Sequence, residues 1–239
     1  PYDRFARELL TSSGSNFRVA PVNFYRAIQN RTPEGIASAV ALTFMGMRTD
    51  TWPTNRLAGF AVLFAQVGYE PTSEWKEEIV FWDPLGAARM AANIAPGRDH
   101  VVTTNRPVGC GVPTNVPPRL AVLPDGRRIA LPPDRDPRDV FADWLISPKN
   151  PWFCRVVVNR IWYWLMGRGI VHEPDDFRPD NPPSHPELLD YLAAQLAGAE
   201  YDLKHVYRLI LTSATYQLSS MPRHSGPEAA PAFAAYPIR

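Results

Sequence analysis

The sequence predicts a mainly α fold: two helical parts joined by a proline-rich connector with a small β-hairpin or sheet. Three observations predict it. Apolar residues recur at helical spacing in both halves of the chain. Proline, at 26 of 239 residues, is about twice as frequent as the usual ~5% and crowds the middle. There, too, Asp125-Gly126 separates two short arms of alternating apolar character. The expected division is 1–95 for a helical region with a short strand near 77–82, and 96–135 for the connector with its hairpin at 119–131. A second helical region spans 136–221, and 222–239 is a loose tail.

Along the chain, Phe5, Leu9 and Leu10 suggest the apolar stripe of a first helix, followed by a polar, turn-rich loop from Thr11 to Phe17. Thr32-Pro33-Glu34 supplies an N-cap, a first-turn proline and a first-turn acid. It opens a helix with Ile36, Val40, Ala41 and Phe44 inward. Another helix follows Asn55, carrying Leu57, Phe60, Ala61, Phe64 and Val67. Glu77-Glu78-Ile79-Val80-Phe81-Trp82 is β-branched and aromatic and reads as a strand that joins the later β element. From 107 to 137 proline excludes a long helix, while Asp125-Gly126 accepts the positive φ angles of a tight hairpin turn.

The second half has clear punctuation. Asp136-Pro137-Arg138-Asp139 starts a helix bearing Val140, Phe141, Trp144 and Leu145. Pro151 opens a strongly apolar helix, 152–166, which ends at Gly167-Arg168-Gly169 with a left-handed glycine cap. Ser184-His185-Pro186-Glu187 has the form of a capping box, with Ser184 as cap and Glu187 as reciprocal partner, before Leu188, Leu192 and Leu196. Asp202 caps a last helix striped by Leu203, Val206, Tyr207, Ile210 and Ala214.

Composition excludes several classes. Hydrophobic residues at 45% and charged residues at 21% are ordinary for a folded domain, and the net charge of +1 gives no basic field for nucleic acid. No apolar run reaches the ~18–20 residues of a membrane span. Two cysteines, Cys110 and Cys154, with no Cys-x-x-Cys pair, rule out a cysteine-built zinc, iron–sulfur or c-type haem site; a disulfide between them stays open. The chain starts at Pro1 without a leader and reads as an excised piece. Phosphate-loop, nucleophile-elbow and His-Glu-x-x-His motifs are absent.

Chemistry concentrates in a polar knot after the 152–166 helix. There, His172, Asp175, Asp176 and His185 mix carboxylate and imidazole as a hydrolytic metal site does, and they are the candidate catalytic or metal-binding residues. The competing reading is structural. Arg155 and Arg160 lie about 140° apart on an almost wholly apolar helix, so one of them turns inward and needs a carboxylate, with Asp175 and Asp176 next in sequence. His205 reads as a solvated position, and His100 and His224 carry no local signal. Trp144, Trp152 and Trp162 read as core, whereas Trp52 and Trp75 are candidates for exposed stacking.

Several ordered pieces resemble a large family of planctomycete and related bacterial proteins, often linked to cytochrome c domains, whose two adjoining regions have no known function. They are Asp136-Pro137-Arg138, Ala142-Asp143-Trp144-Leu145, Asn150-Pro151-Trp152-Phe153, Asn159-Arg160-Ile161-Trp162, Gly167-Arg168-Gly169-Ile170-Val171 and Asp175-Asp176-Phe177. Asn181 through Asp190, Tyr201-Asp202-Leu203-Lys204 and Leu209-Ile210-Leu211-Thr212-Ser213 continue the series. Pro1-Tyr2-Asp3-Arg4-Phe5 and Ala41-Leu42-Thr43-Phe44-Met45-Gly46 resemble the end of the family's first region. The chain then spans that end and much of the second region. Many members carry Cys-x-x-Cys-His-Asp-His-Pro where this chain reads Arg48-Thr49-Asp50-Thr51-Trp52-Pro53-Thr54-Asn55-Arg56, so a metal or redox role at that place does not transfer.

The resemblance implies an extracytoplasmic setting, periplasmic or secreted, with other domains of a longer chain as partners. It places any haem on a linked cytochrome domain and none on these residues. Two functions are expected to compete: a non-catalytic module that organises partner domains or binds a polymer, and an enzyme acting on polysaccharide or a related substrate through the His172–His185 knot.

Overall fold

A computed structural model describes residues 1–84 and 119–218. The first half is built from α1 (Tyr2–Thr11), β1 (Gly14–Ser15), a 3-10 turn (Ala20–Val22), α2 (Asn23–Ala27), α3 (Pro33–Met45), α4 (Thr54–Ala61) and a second 3-10 turn (Val62–Phe64). The strands β2 (Val67–Pro71) and β3 (Glu78–Trp82) complete it. After β4 (Arg119–Val122) and β5 (Arg128–Leu131) come α5 (Pro137–Leu145), α6 (Phe153–Met166), α7 (Pro186–Gly198) and α8 (Leu203–Leu211). The fold is mainly α with two small antiparallel sheets. No helix among the described residues is long and apolar enough to cross a membrane. The expected tail at 222–239, the connector from 96 to 118, and His100, Cys110 and His224 lie outside the described residues.

Local chemistry sets the helix ends. The Thr32 side chain accepts from the Gly35 amide, Asp136 from Arg138 and Asp202 from Lys204. Gly167 closes α6 at φ 74°, a left-handed conformation that glycine adopts without a Cβ clash. The α7 cap differs from expectation. Pro186 occupies the first helical turn, so the N-cap is His185, without a side-chain cap bond. Ser184 lies one residue too early, and its amide and hydroxyl both donate to the Ile170 carbonyl. Glu187 is exposed and has no side-chain partner among the described residues.

The strand at Glu78–Trp82 does not join the hairpin. It is the centre of a sheet ordered β1-β3-β2, while β4 and β5 pair only with each other. The hairpin is held from both halves instead. Val122 packs so closely on α4 that a Cβ at Gly59 would lie 2.6 Å from its Cγ2, and the Trp144 indole of α5 donates to Asp125.

The two helical parts share one core. Phe60 and Phe64 meet Phe141 of α5 edge-on, with centroids 5.3 and 5.6 Å apart. Tyr2 stacks on Phe153 and its amide donates to the Tyr201 carbonyl at 3.0 Å, which seats α1 on the turn between α7 and α8. Buried residues from Ala6 to Ile210 form a single cluster. Phe5, expected in the α1 stripe, is 53% exposed; Ala6 and Leu10 are the buried positions. Trp162 is core, and Trp144 and Trp152 are partly buried against the core cluster. The last helix ends at Leu211, before Ala214.

Candidate functional site

The polar knot begins on α6. Asn159 is fully buried; its amide nitrogen donates to the carbonyls of Val171 and Pro174, and its oxygen accepts from the Val171 amide. One turn face away, Arg160 donates through Nε to Asp175 Oδ1 at 2.7 Å, through Nη1 to the Thr43 carbonyl at 2.6 Å and through Nη2 to the Leu42 carbonyl at 2.9 Å. Those carbonyls belong to the last turn of α3, where a cation is favoured by the helix dipole. Gly46, at φ 57°, caps α3 in the left-handed conformation, and its carbonyl accepts from the Phe177 amide at 2.8 Å. A Cβ there would lie 2.9 Å from the Phe177 ring. The loop after α6 is thus tied to both halves.

The other expected participants are dispersed. Arg155 pairs with Asp190 of α7 at 2.7 Å, and Asp176 pairs with Arg178 at 2.9 Å. His172 is exposed, and its carbonyl accepts from the Asn181 side chain at 2.6 Å. His185 Nδ1 lies 3.1 Å from Ser184 Oγ. His205, expected on a solvated face, is partly buried with Nε2 3.0 Å from Gln195 Oε1. Among the described residues, no three His, Cys, Asp or Glu side chains come together in a group that could hold a metal.

Besides Arg160, a second and more deeply buried guanidinium is that of Arg138 on α5. Its side chain is 1% exposed and forms a fork with Asp136, with further bonds to the Ser12 carbonyl at 2.9 Å and Ser13 Oγ at 3.0 Å. Its guanidinium also lies over the Tyr25 ring. Sequence periodicity missed this residue because Arg138 sits in a first helical turn, where a charged side chain ordinarily faces solvent.

A cleft of about 310 Å³ opens where the loop after α3 meets the loop after α6; Met47 to Arg56 form one wall and Asp176 to Pro179 the other. An adjoining hollow of about 780 Å³ reaches over Ser38, Leu42 and Leu57 and shares Arg48, Asp50 and Trp52. Arg56 lies over the Trp52 ring at 4.0 Å and donates to the Pro124 carbonyl at 2.6 Å. Burial lowers its pKa, and among the described residues no carboxylate pairs with it. Trp52 is therefore half-covered. Trp75, the other tryptophan expected to be exposed, stands on the β2–β3 turn with Lys76 over its ring.

Cys154 is a buried thiol with no disulfide partner among the described residues, and burial pushes its pKa up to about 11. The pairing with Cys110 that the sequence leaves open falls on a residue outside those described.

Residues 137–237, which include α5 to α8 and the whole knot, match the family model PSD1, a protein of unknown function (DUF1553). No curated protein matches the chain, and neither does any solved structure.

Proposed function

From a chain whose second half is similar to a family of unknown function, we propose a non-catalytic helical module of a bacterial, extracytoplasmic, cytochrome-c-associated protein. In this reading it organises the partner domains of a longer chain or binds a polymer, and any haem resides on a linked cytochrome domain. The observation that carries the reading is the use of Asp175. Its carboxylate is engaged by Arg160, whose remaining donors hold two carbonyls of α3. A general acid or a metal ligand needs that carboxylate free to reach a reacting group. Asp176 is likewise engaged by Arg178, and among the described residues no group of three His, Cys, Asp or Glu side chains could hold a metal ion.

The test is substitution in the full-length protein. His172→Ala, Asp176→Asn and His185→Ala should each leave any turnover of that protein unchanged. Loss of turnover with unchanged melting in any of these variants would support the competing enzyme reading, in which the knot acts on polysaccharide or a related substrate.

A further inference from the structure

Two arginines, Arg48 and Arg56, line the cleft between the α3 and α6 loops and have no carboxylate partner among the described residues. Arg56 is fixed on two sides, by the Trp52 ring at 4.0 Å and by the Pro124 carbonyl at 2.6 Å. Among the described residues Nε and Nη1 have no partner and Nη2 gives one of its two hydrogens to that carbonyl, so one planar edge, Nη2 with Nε or with Nη1, is left to meet an acceptor. A partly buried guanidinium ordinarily acquires a carboxylate, because its charge is costly to desolvate alone. Arg56 has none among the described residues, and burial lowers its pKa. Arg48, on the same wall, has neither a hydrogen-bond nor an ion-pair partner among the described residues. Arg178 is already paired with Asp176 and Asp180 and contributes little free charge.

Fixed orientation is what makes such a group a receptor. Arg56 has lost its side-chain freedom to the Trp52 stack, so a ligand meeting its free edge does not have to order it. The planar edge matches two coplanar oxygens at once, which a carboxylate presents. Asp50 lines the same cleft and also has no partner among the described residues. Its carboxylate repels a compact, highly charged anion and accepts from hydroxyl groups. Thr51 adds a hydroxyl beside it. The volume of about 310 Å³ is at the lower end of the ~300–1,000 Å³ usual for small-molecule sites.

We propose that this cleft binds a polyhydroxy carboxylate, with Arg56 and Arg48 on the carboxylate and Asp50 accepting from its hydroxyls. The site is independent of the knot and of the scaffold reading; it stands whether or not that reading holds.

Calorimetric titration of the 239-residue chain with gluconate, at constant ionic strength set by chloride, tests it, with inorganic phosphate as the comparison anion. Gluconate should bind saturably, and Arg56→Gln should weaken it by about ten-fold or more, as expected for losing a charged hydrogen bond. Arg48→Gln should weaken it similarly. Because Arg48 is exposed and unpaired among the described residues, that variant keeps its fold and tests the site even if Arg56→Gln does not fold. Asp50→Asn should weaken gluconate while improving phosphate. Absence of saturable gluconate binding, tighter binding of phosphate than of gluconate, or equal affinity in Arg48→Gln would each overturn the proposal.

Discussion

Arg160 and Asp175 meet at 2.7 Å across the loop that follows α6, and the same guanidinium takes the carbonyls of Leu42 and Thr43 from α3. One side chain therefore joins the loop, its own helix and a helix of the other half. The two members of this ion pair differ in exposure: the Arg160 side chain is 19% exposed and that of Asp175 43%. The carboxylate is thus the weaker member of the arrangement.

Asp175→Asn should cost about 1 kcal/mol, since a half-exposed ion pair is screened by water. For a chain of this size that lowers Tm by about 2–4 °C. Arg160→Met should cost about 2–4 kcal/mol, because it also leaves two carbonyls at the end of α3 without their donor. Thermal melts of the two variants check the order, and a larger loss for Asp175→Asn would be wrong for this geometry.

Asp136→Asn should be more damaging than either. It strands the Arg138 guanidinium, buried at 1% exposure, and the expected cost is about 3–5 kcal/mol. Urea unfolding should show a midpoint well below that of the Asp175→Asn variant. Equal midpoints would mean that the Ser12 and Ser13 bonds alone satisfy Arg138.

Acid stability should depend on Asp143. Burial pushes its carboxyl up, but hydrogen bonds from Arg7 and Arg135 outweigh that and hold it below its ordinary 3.8. A depressed folded value means stability that is complete above the ordinary carboxylate range and lost as pH falls through the folded value. The wild-type Tm should therefore fall as pH drops below about 4. Asp143→Asn should have a shallower fall over that window, measured by melting from pH 6 down to pH 2.5. An unchanged acid limb would remove Asp143 from the explanation.

Cys154 should be inert in the folded chain. With its thiol pushed up to about 11 by burial, almost no thiolate exists at pH 8. Peptide mapping after iodoacetamide treatment should find Cys154 unmodified until denaturant is added. Modification at the rate of a free thiol would mean that the α6 surface opens readily.

What the sequence disclosed was local. Thr32, Asp136 and Asp202 cap their helices through bonds two or three residues away, and Gly167 ends α6 through its own φ, so short motifs carried those boundaries. Asp125-Gly126 marked its hairpin for the same reason. Ser184 misled because its hydroxyl has a nearer claim from Ile170, fourteen residues earlier, than from the helix it precedes. In the sequence Asp136 signals only the start of a helix, while Ser12 and Tyr25, groups that bury its partner Arg138, lie in the other half. The cleft was invisible for a related reason. Its walls, residues 47–56 and 176–179, are distant in sequence and carry no motif.

The most direct test is a double-mutant cycle between Arg160 and Asp175, read as unfolding free energy in Arg160→Met, Asp175→Asn and the double variant. A coupling of about 1 kcal/mol in favour of the native pair is expected. Strict additivity of the two single losses would contradict the role of Arg160 as the tie between the α6 loop and α3, and with it the structural assignment of the knot.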